Sequence, residues 1–502
     1  MSQAPITRWT THWATVKPLD TALIFEERRY SWRELADTMT GWAGRLAAVG
    51  VRKGDRVACL LSNRPEFYFT FLAVARLGAV FVPVNGRLAA AEAQHVITDS
   101  GAGVLVTESA HGKVATALQA ATDLTLLDVD ALPDKAGSDA SDLPEPVFED
   151  IVAILYTSGT TGRPKGATFT HANVFFAAES MCRAYDYGQS DLHLVNAPLY
   201  FTGGLLTLSQ PVLLSGGTLV LQHTFDPELV LRDLERHRIT VWLGVPAALG
   251  LLRQHKGFRR EAFASVRVLG SGSAPLPLSL IEFYEGIGVP LCQGYALTEG
   301  GGVATILDPA DARRKAGTAG LPMMFTDIAI VTETGEPAQT GQAGEILQRG
   351  PSVSAGYWGN PEATVALHEG PWIRTGDIGS LDEDGYLSVL GRLKDLVITG
   401  GMNVYPAEVE SVLTRHPQVA DAAVVGVPHQ IYGETVTAFV VPVNGCEPTL
   451  DEIRAFCGDH LADYKLPRLL RVVPELPRTG SGKVRKNVLR DALSGELERR
   501  VP

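Results

Sequence analysis

The 502-residue sequence is poor in the features that mark several protein classes. Its five cysteines, Cys59, Cys182, Cys292, Cys446 and Cys457, are scattered and odd in number. Their spacing fits neither a disulfide framework nor a metal knuckle, so a reducing compartment is expected. No apolar run approaches the ~20 residues that a membrane-crossing helix needs. The opening Met1-Ser2-Gln3-Ala4-Pro5 has no charged segment leading into an apolar one, so no targeting leader is expected and the protein reads as cytoplasmic. Basic charge is also short, with 44 Lys and Arg against 56 Asp and Glu and a net charge of −12. Phosphate backbones select basic faces, which argues against nucleic acid as the main partner. Internal repeats and low-complexity tracts are missing too, which excludes solenoids and linker-like chains.

What is present is ordinary globular material, 45% apolar and 20% charged. The length exceeds what one core usually supports, so two or more domains are expected. From about residue 20 to 390, short apolar strands alternate with helical patterns, the signature of α/β layers. Arg56–Leu61, Val104–Thr107 and Gly217–Leu221 read as strands; Trp32–Ala47 and Pro65–Leu77 carry helical apolar spacing. The stretch Asp130–Pro146, rich in Asp, Pro, Ser and Ala, reads as an exposed loop. Leu381-Asp382-Glu383-Asp384-Gly385-Tyr386 is a hairpin signal. The composition changes near Gly391. Beyond it come a helix opening at Pro406, strands over Ala420–Val427 and Val436–Val443, and a helix over Asp451–Leu461 with Ile453, Phe456 and His460 roughly on one face. The expected organisation is a large multi-layer α/β domain over 1–390, a hinge at 391–395, and a small α+β domain over 396–502.

One stretch carries chemistry on its face. The apolar run Ile151–Leu155 leads into Tyr156-Thr157-Ser158-Gly159-Thr160-Thr161-Gly162-Arg163-Pro164-Lys165-Gly166. Glycines free the backbone to turn N–H groups toward an anion, hydroxyls add donors, and a lysine adds charge. A strand that delivers such a loop is a phosphate cradle. It is not the common nucleotide loop, because Arg163-Pro164 separates Gly162 from Lys165 and no Ser or Thr follows the lysine. A flexible surface linker would need neither the buried strand nor the lysine.

Further strings follow in order: Gln293-Gly294-Tyr295-Ala296-Leu297-Thr298-Glu299, Gly344-Glu345-Ile346, Arg374-Thr375-Gly376-Asp377, Gly391-Arg392-Leu393-Lys394-Asp395, Gly400-Gly401-Met402-Asn403-Val404-Tyr405-Pro406 and Pro477-Arg478-Thr479-Gly480-Ser481-Gly482-Lys483. Together they resemble the adenylate-forming superfamily, which comprises acyl- and aryl-CoA ligases, stand-alone adenylation domains and beetle-type luciferases. The resemblance spans the whole chain and is closest to the fatty-acyl and cinnamoyl-type CoA ligases. It implies attack of a carboxylate on the α-phosphorus of ATP, followed by transfer of the acyl group to a second nucleophile. Both reactants of the first step are anions, so the site must neutralise charge with preorganised donors, a metal and a mobile lysine.

The resemblance also implies roles. Thr157, Ser158, Gly159, Thr160, Thr161, Gly162 and Lys165 would hold the β- and γ-phosphates, and Glu299 would ligate Mg²⁺, for which carboxylate oxygens are the right hard ligands. Gly272, Ser273 and Ala274 would face adenine from one side and Tyr295 from the other, with Gly294, Ala296, Leu297 and Thr298 in the same nucleotide-binding run. Asp377 would accept from both ribose hydroxyls, with Arg392 on ribose or phosphate. Lys483, on a glycine-rich loop, would reach the carboxylate and α-phosphate only during adenylation. Lys394 stands at the pivot of a domain rotation that would remove Lys483 and bring in the Thr399–Tyr405 loop.

The acid would lie between Pro198–Gly204 and Gly294–Val303. Phe201 stands where a histidine is common in the family, adding an apolar, stackable wall and removing a polar group. Glycines at 203, 294, 301 and 302 (Gly203, Gly294, Gly301, Gly302) leave room, while Phe201, Leu297 and Val303 are apolar. A bulky aromatic or medium- to long-chain acid is expected. No carboxylate is in place to pair with an amino-acid ammonium. CoA is the expected acceptor; an amide synthetase on the same scaffold, of the β-carboline-carboxylate type, is the alternative, and no motif separates the two.

Overall fold

The computed structural model of the protein describes residues 5–132, 146–157, 163–274, 276–479 and 483–498. Most of the predicted loop over Asp130–Pro146 therefore lies outside the described residues, as do Ser158, Gly159, Thr160, Thr161, Gly162, Gly480, Ser481 and Gly482.

Two sheets dominate the first 320 residues. One has six strands in the order Thr125–Asp128, Val104–Thr107, Arg56–Leu60, Val80–Pro83, Ile151–Thr157 and Lys165–Thr170. All its pairings are parallel except the last. The strand Arg56–Leu60 is buried on both faces, as parallel strands between layers must be. Val57 and Cys59 enter one core while Ala58 and Leu60 enter another, the period of two expected of a strand. The other sheet has nine strands. Six run parallel in sequence across it: Thr21–Phe25, Thr218–Leu221, Leu192–Val195, Val241–Leu243, Val268–Ser271 and Leu291–Leu297.

Helices cover these sheets where the sequence signals them. Trp32–Ala48 opens on a capping box, with Ser31 Oγ accepting from Glu34 N (3.2 Å) and Glu34 Oε2 accepting from Ser31 N (2.8 Å). The helix Pro65–Arg76 starts on proline and is buried almost all round, which the run Phe67–Val74 requires.

A third, antiparallel sheet contains Asp327–Val331, Gly344–Arg349, Trp372–Leu381 and Leu387–Arg392. The predicted hairpin at Asp384-Gly385 joins its last two strands, with Gly385 at φ +83°. After a single turn over Leu393–Asp395, a fourth sheet is built from Val397–Thr399, Met402–Val404, Val419–His429, Gly433–Pro442 and Leu469–Val472. The strand Val419–His429 sends Ala422 and Val424 to one core and Ala423, Val425 and Val427 to another. The helix Leu450–Gly458 stops before His460, which leaves the helix but still meets the Phe456 ring edge-on at 5.2 Å. The expected architecture, α/β followed by a smaller α+β unit, is what forms.

Candidate active site

Thr157 and Lys165 stand opposite each other in an antiparallel pair, at the ends of Ile151–Thr157 and Lys165–Thr170. The two strands are thus the arms of a hairpin, and the second arm was not legible in the sequence. Gly166 is what lets the arms close, since a Cβ there would stand 2.5 Å from Ile154 Cγ2. Thr157 Oγ1 donates to Glu299 Oε1 at 3.3 Å. The Lys165 ammonium lies 5.3 Å from the centre of the Tyr357 ring.

Glu299 follows the strand Leu291–Leu297 and is fixed from three directions. Tyr357 Oη donates to Glu299 Oε1 at 2.7 Å, and the Glu299 carbonyl accepts from Ser354 N at 2.8 Å. The next carbonyl, of Gly300, accepts from Gln348 Nε2 and Ser352 Oγ, both at 3.1 Å. Gly301 has φ +82°, and a Cβ on it would lie 2.1 Å from the Ser352 carbonyl oxygen. Gly301 is therefore needed for this turn itself. Tyr357, Gln348 and Ser352 were missed by the sequence reading; only the nearby Gly344-Glu345-Ile346 string pointed to their segment.

Two of the strings explain each other. Arg374 pairs with Glu345, whose Oε1 also accepts from Gly376 N at 3.2 Å. Thr375 Oγ1 donates to the Ile346 carbonyl at 2.6 Å and accepts from Asp377 N at 3.1 Å. Gly376 takes φ +67°. These contacts aim Asp377 inward, where it is buried. Tyr295 Oη donates to Asp377 Oδ2 at 2.7 Å, and Arg392 Nε stands 3.3 Å from Oδ1. Burial pushes the Asp377 carboxyl up, while Arg392, the Tyr295 hydroxyl and Lys483 oppose that shift. The Tyr295 ring packs with Ala304, Ala319, Ile330 and Ile346, so only 7% of the residue is exposed.

Lys483 shares this electrostatic environment. Burial pushes its ammonium down and Arg392 does the same, while Asp377 and Glu299 hold it up. Its peptide N–H donates to Thr479 Oγ1 at 3.1 Å, and its carbonyl accepts from Thr479 N at 2.7 Å, so the lysine sits where the chain has doubled back. Gly272 lies against Gly294, whose carbonyl oxygen would be 3.2 Å from a Cβ at position 272; Ser273 takes φ +69° and is exposed beside the half-buried Ala274. Ala296, Leu297 and Thr298 are half-buried, and Thr202 Oγ1 donates to Thr298 Oγ1 at 3.1 Å.

The last contact joins the two segments expected to enclose the acid. Phe201 is half-buried and meets Tyr200 edge-on at 4.7 Å. Gly203 is exposed with open space around it; the tight position is Gly204, where a Cβ would lie 2.3 Å from the Pro198 carbonyl oxygen. Gly203–Ser209 forms a π-helical turn, an irregularity found often at functional sites. Gly302 takes φ +119° and a Cβ there would stand 2.7 Å from Thr207 Oγ1; Val303 is half-buried beside it. Asn63 ties this region to the core, donating to the Ala197 carbonyl and accepting from Leu199 N, each at 2.9 Å. Lys394 is exposed in the turn after Arg392, and Asp395 pairs with Arg490 at 2.8 Å. Asn403 Nδ2 donates to Glu333 Oε1 at 3.2 Å.

Residues 10–358 match the AMP-binding enzyme family, and residues 408–483 match the AMP-binding enzyme C-terminal domain. The chain belongs to the AMP-binding enzyme family. It is 40% identical to feruloyl-CoA synthase of Amycolatopsis sp. over 493 residues, 98% of both chains. It is similar to ATP-bound MatB of Rhodopseudomonas palustris, with 32% identity, a TM-score of 0.91 and 98% and 99% of the two chains covered. It is also similar to o-succinylbenzoate CoA synthetase (MenE) of Bacillus subtilis in complex with its acyl-adenylate intermediate, with 34% identity, a TM-score of 0.88 and 96% and 98% coverage. The adenylate-forming character read from the strings is borne out: this AMP-binding enzyme is an AMP-forming acid ligase.

The family implies Mg²⁺, and the residues fit it. Among the described residues no group of three or more His, Cys, Asp or Glu gathers as a closed cage. A lone Glu299 carboxylate beside the Thr157 hydroxyl suits an ion that keeps several waters and takes its other ligands from substrate phosphates. No helix among the described residues is long and apolar enough to cross a membrane.

Proposed function

We propose that this AMP-binding enzyme activates a bulky aromatic or medium- to long-chain carboxylic acid as its acyl-adenylate and passes the acyl group to the thiol of CoA. The observation that carries this reading is the buried Asp377 carboxylate, which accepts from the Tyr295 hydroxyl at 2.7 Å and faces Arg392 at 3.3 Å, while Asp377 and Glu299 both act to hold up the Lys483 ammonium. Feruloyl-CoA synthase, with an aromatic acid in its name, supports the acid class. The open space at Gly203 and the apolar Phe201, Leu297 and Val303 support it further.

In the first half-reaction an oxygen of the acid attacks the α-phosphorus of ATP, and the bond to pyrophosphate breaks. Asp377 accepts from the ribose hydroxyls, with Arg392 beside it. Thr157, Lys165 and the loop from Ser158 to Gly162 receive the β- and γ-phosphates. Lys483, a compact charge on a long stem, balances the charge that builds between the acid and the α-phosphate. Glu299 and Thr157 would hold Mg²⁺, which when bound supplies further neutralisation of the phosphates. In the second half-reaction the CoA sulfur attacks the acyl carbon and AMP leaves. The hinge at 391–395, pivoting at Lys394, withdraws Lys483 and brings up the Thr399–Tyr405 loop, so one site runs two incompatible steps in turn.

Phe201, which removes a polar group from the acid's carboxyl end, favours a second reading in which an amine replaces CoA. The unpaired cysteines fit a reducing, cytoplasmic setting for either. Acid-dependent ATP–pyrophosphate exchange over a panel of aryl and aliphatic acids tests the activation step, and chromatography of products with CoA or a simple amine identifies the acceptor. Exchange with no acid of the panel would remove the proposal.

A further inference from the structure

Glu299 and Lys165 come from segments 134 positions apart, and one side chain that belongs to neither joins them. Tyr357 donates its hydroxyl to Glu299 Oε1 at 2.7 Å, the same oxygen that takes the longer 3.3 Å bond from Thr157. The face of its ring lies 5.3 Å from the Lys165 ammonium. The tyrosine is itself fixed. Residue 357 bridges to Ala167, two residues past Lys165, and Trp358 N donates to the Gly166 carbonyl at 2.8 Å. Tyr357 N donates to Thr364 Oγ1 at 2.9 Å. The ring is thus pinned to the lysine's own strand on one side while its hydroxyl reaches the carboxylate on the other.

We propose that Tyr357 is a positioning residue for the phosphate–metal end of the nucleotide site: it orients the Glu299 carboxylate through its hydroxyl and steers the Lys165 ammonium with its ring. A carboxylate that accepts a short bond on one oxygen keeps the other oriented for a ligand, which is how outer groups set the geometry of hard-ion sites. The ring face attracts the ammonium without neutralising it, so the lysine stays charged and aimed.

The inference rests on the reading of Glu299 as a magnesium ligand, and binding rather than turnover tests it. Calorimetric titration of ATP is run on the parent, Tyr357→Phe, Glu299→Gln and the double variant, in excess Mg²⁺ and in EDTA. A hydroxyl bond to a charged group sets the scale, so Tyr357→Phe is expected to weaken Mg²⁺–ATP binding about tenfold while leaving ATP binding in EDTA unchanged. In the Glu299→Gln background the same change should cost nothing more, since the two act as one unit. Tyr357→Leu, which also removes the ring, should weaken ATP binding in EDTA as well. Thermal melts of the unliganded variants show that each is folded. Equal losses with and without Mg²⁺ for Tyr357→Phe, or losses that add in the double variant, would overturn the assignment. Absence of acid-dependent pyrophosphate exchange in the parent would instead refute the proposed function and leave this comparison standing.

Discussion

The hydroxyl of Tyr295 donates to Asp377 Oδ2 at 2.7 Å while Arg392 faces the other carboxylate oxygen at 3.3 Å. Burial pushes the Asp377 carboxyl up, and these partners oppose that shift. Tyr295→Phe removes one of them and keeps the ring, so the carboxyl titrates higher than in the parent. In the proposed role an ionised Asp377 accepts from ribose, so activity should fall as pH drops through its pKa. The acid limb of kcat/KM for ATP should move to higher pH in the variant. A hydrogen bond to a charged group sets the accompanying rise in the KM for ATP at about tenfold, with the KM for the acid unchanged. An unmoved acid limb would mean that the hydroxyl does not tune this carboxylate.

Lys483→Ala should lower adenylate formation by about 10²–10³-fold, the usual loss when one preorganised charge is taken from a transition state. Thioester formation from a supplied acyl-adenylate should be almost unaffected. Rapid-quench assays of the two half-reactions measure both. A variant forming adenylate at the parental rate would remove the lysine from the mechanism.

Lys394→Pro restricts the turn over Leu393–Asp395 just past Arg392. If rotation there separates the half-reactions, the variant should make adenylate near the parental rate and lose acyl transfer by about 10²-fold or more, as gating steps do when hinge motion fails. Single-turnover kinetics decide it: equal damage to both half-reactions would rule out a pivot at this residue.

The strings disclosed most of the candidate site because its chemistry is concentrated in short runs that need particular residue types. Thr157, Lys165, Glu299 and Asp377 each sit in such a run. What stayed hidden were partners chosen by tertiary contact. Nothing local marks Tyr357 as the donor to Glu299, or Gln348 and Ser352 as donors to the Gly300 carbonyl. Gly203 and Gly204 are alike in sequence, yet only Gly204 is pressed against a backbone carbonyl, which only the π-helical turn reveals. In the fold, the continuous apolar run of a strand buried on both faces made Arg56–Leu60 readable. The second arm of the hairpin, Lys165–Thr170, was hidden by Pro164 before it and Gly166 within it.

Gly301→Ala should be costly although it adds one carbon. The position has φ +82°, and the new Cβ would stand 2.1 Å from the Ser352 carbonyl oxygen, a backbone atom that cannot turn aside. Left-handed backbone in a non-glycine residue costs about 1–3 kcal/mol before the clash is counted. Urea unfolding should show a loss of at least that size, together with weaker Mg²⁺–ATP binding because Glu299 lies two residues away. Gly203→Ala, in open space, is the control and should change stability by less than about 0.5 kcal/mol. Similar losses for both would show that the crowding at Gly301 is relieved by local movement.

Acid sensitivity should reside in part in two buried histidines remote from these charges. Burial pushes His171 down to about 4 and His193 to about 3. Unfolded histidine titrates near 6.5, so below that value the unfolded chain takes up protons that the folded chain refuses. The stability these neutral rings provide is complete above about pH 6.5 and is lost as pH falls toward the folded values. Between pH 7.5 and 5 the loss should reach about 2 kcal/mol per histidine, at 1.36 kcal/mol per unit. Among the described residues neither ring nitrogen of His171 has a hydrogen-bond partner. His171→Phe therefore removes the titration without stranding a polar group, and it should bring the urea midpoints at pH 7.5 and 5 closer together by that amount. Midpoints as far apart in the variant as in the parent would show that His171 does not carry the acid sensitivity.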